Sequence, residues 1–396
     1  MRFLFFILDG WPTFRPDVSA LWGRHLLTHD VHADLVTQAT TADHQDQPWP
    51  AGRAWLVAPG GSKMAELLKT FAHDCKMLWR LRRDPYDAVI VRDKAFITVF
   101  ALLWARLRGL PFIYWMSFPM AESLVRLRET LDKRQWVRRA YLGWRGHVGG
   151  WLLHRVVLPR AHHIFVQSDR MKEDMVLLGL KAERMTPVPM CVDLDRFKAP
   201  LPFVERNDGR RVIGYLGESS RVRRVDFLFE VVAIIKRSMP EVLLLIVGDA
   251  LDDADRQWLA DRIAELGVQD HVQITGWIPS DQVAEVFGQA EVALALVAPD
   301  PLLDAASPTK LVEYLAMGRP VVGNQHPDQN LVLSASGAGL CVAFDATAFA
   351  SAVLQLLNDK AACSLMAARG REWVVSNRSY DVCAASLAKR LAEVVR

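Results

Sequence analysis

Short apolar runs alternate with longer amphipathic stretches, and the alternation is played twice. RFLFFIL, VHADLVT, AWLVA, DAVIVR, PFIYWMS, HIFVQS and TPVPM succeed one another through the first half, each followed by turn residues or a helix-like segment. Strands that are apolar throughout are buried on both faces. A chain that builds parallel strands must cross back between them, normally through a helix, so this pattern predicts parallel sheets covered by crossover helices. After CVDLDRF comes the polar stretch KAPLPFVERNDGRR, with two prolines, one glycine and six charged residues. It reads as a domain boundary. The alternation then restarts with RVIGYLG, a helix around 225–238, EVLLLIVGD, a helix to Leu266, HVQITGW, a helix to Ala290, VALALV, a helix after Ser307 and RPVVGN. The expectation is α/β, with two Rossmann-like domains in tandem: 1–198 and 199–378.

A chain of 396 residues is long enough for two such cores. The net charge of +3 does not call for nucleic acid, and no RNA-binding or zinc-finger spacing is present. MRFLFFILDG holds an apolar run of only six residues, shorter than a signal-peptide core, and reads as a first buried strand. The window FITVFALLWA ends at Arg106, well short of the roughly 18 residues of a spanning helix, so no transmembrane segment is expected. Cysteines at 75, 191, 341, 363 and 383 form no Cys-x-x-Cys pair, which suggests neither a disulfide framework nor a zinc site and fits a reducing cytoplasm.

In open α/β sheets ligands bind beyond the carboxyl ends of the strands. That rule singles out 214–224, Gly248-Asp249, Gly276-Trp277, 297–309 and Gly323-Asn324. The last helix of this set is the most informative. In SPTKLVEYLAMGRPVVG, Ser307 is a good N-cap and Pro308 suits the first helical position. Lys310 then falls at the positive end of the helix dipole, where a cation is disfavoured by roughly 0.3–1 kcal/mol. An anion bound on the first-turn N–H groups would reverse that sign, since backbone and ammonium would hold it together. Otherwise Lys310 is a surface lysine paired with Glu313. Gly318 should end the helix.

On these segments the chain resembles the GT-B fold retaining glycosyltransferases of family 4, the glycosyl transferases group 1. YLGESSRVRRVDFLFEV is similar to that family's entry to the donor domain, IVGDA to its second strand and turn, ITGWIPSDQVAEVFGQAEV to its next segment, and SPTKLVEYLAMGRPVV to its sugar-nucleotide helix. HHIFVQSDRMKEDMVLLGLKAERMTPVPMCVDLDRF resembles the segment leading into the interdomain linker, and the closing REWVVSNRSYDVCAASLAKRLAEVV resembles helices in which 379–396 cross back to the first domain. The resemblance implies a deep interdomain cleft, a UDP- or GDP-linked sugar as co-substrate, no other cofactor and no metal. It implies that Lys310 and a basic residue of the first loop clamp the donor diphosphate, that Glu313 binds the ribose hydroxyls, and that Gly276, Trp277 and Ile278 meet the base. Trp277 would stack there or belong to the core. Gly217, Gly248, Ser307, Pro308, Thr309 and Leu311 would complete the donor site.

The sequence departs from the family pattern in three places. Glu218 stands where an arginine is usual, so Arg223 becomes the phosphate ligand, with Arg221 or Arg224 as alternatives. Ala305 stands where the first of two glutamates is usual, and Asp304 is one residue off. In the first domain, DGWPTFRPDVSAL replaces a glycine-rich loop, and Ser117-Phe118 replace a histidine or aspartate beside the sugar. The acceptor-side candidates are Asp17, which would alternatively cap a helix, Ser117, and Glu122, the nearest acid. Between Arg126 and Arg160 nine basic residues face two acids, with Trp136, Tyr141, Trp144 and Trp151 interleaved. This suits either contact with an anionic membrane surface or a solvated helix face over core aromatics. The pairs Asp193/Asp195, Asp253/Asp255 and His162/His163 are read as structural. The implied activity is sugar transfer with retention onto a saccharide or lipid-linked saccharide in cell-surface polysaccharide assembly, by a cytoplasmic protein, peripheral on the membrane where that contact holds. The rivals are a same-fold sugar-nucleotide epimerase and a non-catalytic sugar-nucleotide-binding partner.

Overall fold

The apolar runs form strands, and every strand pairing is parallel. The computed structural model describes residues 1–40, 48–279 and 282–396. It comprises two units, Met1–Met190 with Tyr380–Arg396, and Cys191–Ser379. The polar stretch after CVDLDRF lies inside the second unit, where Leu201 N–H donates to Met317 O at 3.0 Å and Val204 N–H to Gly288 O at 3.2 Å.

The first unit is built on seven strands: β1 (Arg2–Ile7), β2 (His32–Gln38), β3 (Ala54–Val57), β4 (Ala88–Arg92), β5 (Phe112–Met116), β6 (His163–Val166) and β7 (Met185–Pro187). Their order is β3-β2-β1-β4-β5-β6-β7. The chain therefore works outward from β1 and then restarts on its other side at β4. The crevice between the carboxyl ends of β1 and β4 is the topological switch point. The helices are α1 (Lys63–Arg80), α2 (Phe96–Leu107), α3 (Met120–Thr130), α4 (Trp136–Trp151) and α5 (Asp169–Leu177), together with the C-terminal helix Tyr380–Val395.

α3 and α4 form a close hairpin because α4 turns a glycine face toward α3. A Cβ on Gly146 would lie 2.6 Å from Val125 Cγ2 and 3.0 Å from Ala121 O. Trp136, Trp144 and Trp151 of the same helix lie off that seam and are 71%, 51% and 61% exposed. The sequence left these aromatics as either core or surface residues; the glycine seam takes the packed side and none of the three tryptophans enters the core, although Trp144 stacks on Phe96.

The second unit repeats the design with β8 (Arg211–Leu216), β9 (Val242–Val247), β10 (Val272–Ile274), β11 (Val292–Ala295), β12 (Val321–Asn324) and β13 (Gly339–Val342). Their order is β10-β9-β8-β11-β12-β13, with its switch point between β8 and β11. The crossover and flanking helices are α6 (Asp226–Ile235), α7 (Asp253–Glu265), α8 (Val283–Phe287), α9 (Pro301–Asp304), α10 (Thr309–Ala316), α11 (Pro327–Ser336), α12 (Ala346–Asn358) and α13 (Lys360–Asn377). Two details differ from the sequence reading. The helix expected to reach Ala290 stops at Phe287, with Gly288 as its C-cap. Ser280 and Asp281 of that segment lie outside the described residues. An edge strand, β13, adds to the sheet where no strand was expected, because all four residues of GLCV are only half-buried and the run carries no strong apolar signal.

Among the described residues, no helix is long and apolar enough to cross a membrane.

Candidate functional site

α10 does not begin as its sequence suggests. Its first helical residue is Thr309, Pro308 is the capping residue with φ −71° and ψ 115°, and no side chain caps the turn. The Ser307 hydroxyl, expected as the cap, instead donates to Asp328 Oδ2 at 2.7 Å. Asp328 is itself ion-paired with Arg378 at 2.6 Å, both side chains being almost completely buried. The hydroxyl is turned onto this buried charge pair, donating to the carboxylate and accepting from the Arg378 guanidinium at 3.4 Å. Among the described residues no side chain caps the first N–H groups of α10, which is the arrangement an anion completes. The far end is built as expected. Gly318, with φ +68°, follows the C-cap, its N–H donates to Leu315 O and that of Arg319 to Tyr314 O, both at 3.0 Å.

Lys310 leaves this first turn and reaches the end of β8. Its Nζ donates to Tyr215 Oη at 2.6 Å and lies 4.2 Å from the centre of that ring. It also lies over Gly217, where an added Cβ would be 2.8 Å from Lys310 Cε and 3.1 Å from Nζ. Gly217 has φ +122° and Gly248 φ +145°, and a Cβ on Gly248 would fall 2.2 Å from Gly217 O. Gly276, φ +74°, pairs with Gly248 across an isolated bridge. The turns after β8, β9 and β10 therefore meet through glycines that no larger residue can replace without strain. Ser219 N–H donates to Asp249 O at 2.9 Å, and Asn324 Oδ1 accepts from Val297 N–H at 2.8 Å, which ties the remaining strand ends into the same rim.

Around Lys310 the charges are mixed. Burial pushes the Glu313 carboxyl above its ordinary range, while the nearby charges of Arg196 and Lys310 pull it back. Arg196 was not picked out by the sequence; its only signal was its place in CVDLDRF. In the first loop, Arg221 is held by Asp255 at 3.2 Å and Arg224 by Asp226 at 3.3 Å. Arg223 is exposed and has no side-chain partner among the described residues, so it is the uncommitted cation of the three. The buried hydroxyls of Ser219 and Ser220 in the same loop also lack a partner among the described residues. They offer two donors that the sequence did not flag.

Other expected donor residues fall differently. Trp277 is 59% exposed, so its alternative as a core residue is excluded. Ile278 is half-buried against the core of the second unit. Leu311 is part of that core, so only its backbone faces the start of α10. Asp304 ends the single-turn helix α9, whose cap is the Asp300 carboxylate accepting from Leu302 N–H at 3.0 Å. Asp304 is half-buried, and Ala305 beside it is buried.

The acceptor-side candidates lie in the first unit. Asp17 neither caps a helix nor lies open: Pro16 is the cap of the π-helical turn Asp17–Trp22, and the Asp17 carboxylate accepts from Arg92 Nε at 3.0 Å. Arg92 also bonds Asp9 and lies 3.5 Å from Asp93. Three carboxylates thus surround one buried guanidinium at the β1/β4 switch point. The Asp93 carboxyl is pushed up by burial, against the pull of Arg92 and of Ser117, whose backbone N–H and hydroxyl both donate to it. Ser117 is therefore a holder of Asp93, a residue that the sequence did not single out. Asp93 has φ +57°, uncommon for a non-glycine residue and held here by the Ser117 and Arg92 contacts. Glu122 accepts from His154 at 2.9 Å; burial raises its carboxyl but the histidine outweighs it, so the net direction is down. The pairs read as structural are engaged locally: Asp193 accepts from Asp195 N–H, Asp253 and Asp255 start α7, His162 accepts from Phe112 N–H, and His163 bonds Thr186.

Comparison with known proteins follows this division. Residues 210–359 match the family model described as glycosyl transferases group 1, and residues 19–191 match that of the glycosyl transferase 4-like domain. The chain is 26% identical over 242 residues to the 2-deoxystreptamine glucosyltransferase of Streptomyces kanamyceticus, covering 56% of this chain and 58% of that one. It is 26% identical over 280 residues to the GDP-mannose-dependent alpha-(1-6)-phosphatidylinositol monomannoside mannosyltransferase of Mycolicibacterium smegmatis, covering 66% and 72%. Among solved structures, Anabaena HepE in complex with UDP shares the fold, with a TM-score of 0.70 and 14% identity over 99% of this chain and 100% of that one.

Proposed function

Because the chain belongs to the group 1 glycosyltransferases, with two Rossmann-like domains of the GT-B kind, we propose that it transfers a sugar, with retention, from a UDP- or GDP-linked donor to a saccharide or lipid-linked saccharide in cell-surface polysaccharide assembly. The observation that carries this reading is Lys310: an ammonium held at an uncapped helix start, over Gly217, with the carboxyl of Glu313 nearby. As the bond between the anomeric carbon and the diphosphate oxygen breaks, negative charge grows on the diphosphate. Lys310, Arg223, the first-turn N–H groups of α10 and the Ser219 and Ser220 hydroxyls stabilise that charge, and they do so most where it is largest. The acceptor hydroxyl attacks from the face the diphosphate leaves, and its proton passes to the departing oxygen. Glu313 accepts the ribose hydroxyls. The cations take the place of a divalent ion at the diphosphate, so the reaction runs without a metal.

The relatives supply the choice of nucleotide: one solved neighbour holds UDP, and the mannosyltransferase is GDP-mannose-dependent by name. Purified protein given a panel of UDP- and GDP-sugars is expected to release the nucleotide slowly from one of them. Lys310→Ala should lower that rate by at least about a hundredfold, the scale of losing one preorganised charge-stabilising group. Nucleotide binding without release, with no transfer to any lipid extract, would instead make the chain a sugar-nucleotide-binding partner.

A further inference from the structure

Beside Asp93 the first unit contains a cavity of about 510 Å³, within the size range of small-molecule sites. Leu67, Leu68 and Phe71 of α1, Phe96 and Phe100 of α2, and Leu124 of α3 supply apolar wall, and Trp144 and Arg145 of α4 complete it. Polar lining is contiguous. Asp93 and Lys94 follow β4, Lys94 is bonded to Asp74 at 2.7 Å, and Tyr114 stands in β5, the neighbouring strand. The Asp74–Lys94 pair is buried and self-neutralised, so an apolar occupant strands no charge there. The Tyr114 hydroxyl has no partner among the described residues.

We propose that this cavity holds one hydrocarbon chain of a lipid acceptor, with the acceptor's polar end at Asp93. The proposal rests on the lipid-linked form of the acceptor reading above. A sugar alone would face walls that offer it almost no hydrogen bonds, whereas an alkyl chain needs none. Leu68, Phe100 and Trp144 are 60%, 50% and 51% exposed at the cavity although they come from three different helices, an apolar surface of the kind that marks a binding site. The charge nearby fits a lipid source. Arg145 lines the cavity, and α3, α4 and their flanks between Arg126 and Arg160 carry nine basic residues against two acids. Such a face is drawn to an anionic bilayer, from which the chain would be extracted.

The test is a titration of the intact protein with n-alkyl β-D-glucosides from butyl to decyl, below their micelle concentrations, read by tryptophan fluorescence. Affinity is expected to rise about fourfold per methylene until the cavity is full. Leu124→Trp and Leu67→Trp fill the cavity from α3 and from α1, and each should weaken octyl glucoside by at least about tenfold, with thermal melting and UDP affinity unchanged. Using two variants on different helices, with the chain-length series on the unaltered protein, guards against a fold defect in either one. A flat chain-length series would overturn the proposal, as would undiminished octyl glucoside binding in both folded variants. Phenyl glucoside binding as tightly as octyl would do the same and point to an aromatic acceptor. None of these measurements uses the donor, so a failed donor assay with an intact chain-length series removes only the transfer reading, and the reverse removes only this one.

Discussion

At the scale of single residues, the rim at the strand ends of the second unit depends on glycines that leave room for one another. Gly248 shows it most clearly: its φ of +145° and the 2.2 Å approach of Gly217 O to any added Cβ leave no space for a methyl group. The obstacle is backbone, which cannot swing aside as a flexible side chain would. Gly248→Ala is expected to cost about 1–3 kcal/mol in backbone strain and to push the Gly217 turn against Lys310, so nucleotide affinity falls together with the melting temperature. Unchanged UDP binding in calorimetry would show that the turn adapts and that the rim is not built on this contact. Lys310 was legible as a cation in the wrong place on a helix, and Gly217, Gly248 and Gly276 as turn residues after strands. Asp93 was not legible: the groups around it and Arg92 come from two other segments, the loop holding Asp9 and Asp17 and the end of β5 at Ser117, and nothing local marks an aspartate that follows a strand.

At the scale of elements, α4 illustrates what a periodic reading leaves open. Its glycines at 143, 146, 149 and 150 are buried, and its tryptophans at 136, 144 and 151 are exposed. A helix with aromatics on one face and cations around it reads equally well as core-facing or surface-facing. The seam of small residues settles the choice, because the α4 backbone packs closely on α3 there. Gly146→Leu should therefore separate α3 from α4, destabilising the protein by about 1–3 kcal/mol, whereas Trp151→Ala on the outer face should leave the melting temperature within a degree or two. Equal melting temperatures for Gly146→Leu and the unaltered protein would contradict the seam. The strands were the most legible elements, since apolar runs bounded by turn residues admit few other structures. β13 was missed because GLCV, unlike the equally half-buried edge strand AWLV, starts on a glycine and offers only three side chains of apolar signal.

At the scale of the whole molecule, the chain begins and ends in the same unit. The C-terminal helix Tyr380–Val395 buries Tyr380, Ala384, Leu387 and Leu391, Asp381 accepts from or pairs with His25 at 2.9 Å, and Arg390 donates to Glu183 O at 3.1 Å. Removing residues 380–396 would take away five buried apolar residues and uncover the part of the first unit that they cover, with the burial of each larger side chain worth up to about 1.5–3 kcal/mol. The expected result is faster hydrogen exchange in β1 and in the turn His25–His29, with exchange in β8 to β12 unchanged. Unaltered protection in the first unit would show that the helix is dispensable to it.

The sequence by itself determined the architecture and the place of α10 at the strand ends, because strand and helix periodicity, turn glycines and the strand-end rule are local signals that survive without knowledge of neighbours. Tertiary structure decided the partners. Ser307 was drawn from its cap to a buried Asp328–Arg378 pair, Lys310 was aimed at Tyr215, Arg92 was enclosed by three carboxylates, and an apolar cavity was left between helices far apart in the chain. Each of these follows from competition among groups distant in sequence for the same hydrogen bond, charge or volume, and such competition exists only once the chain has folded.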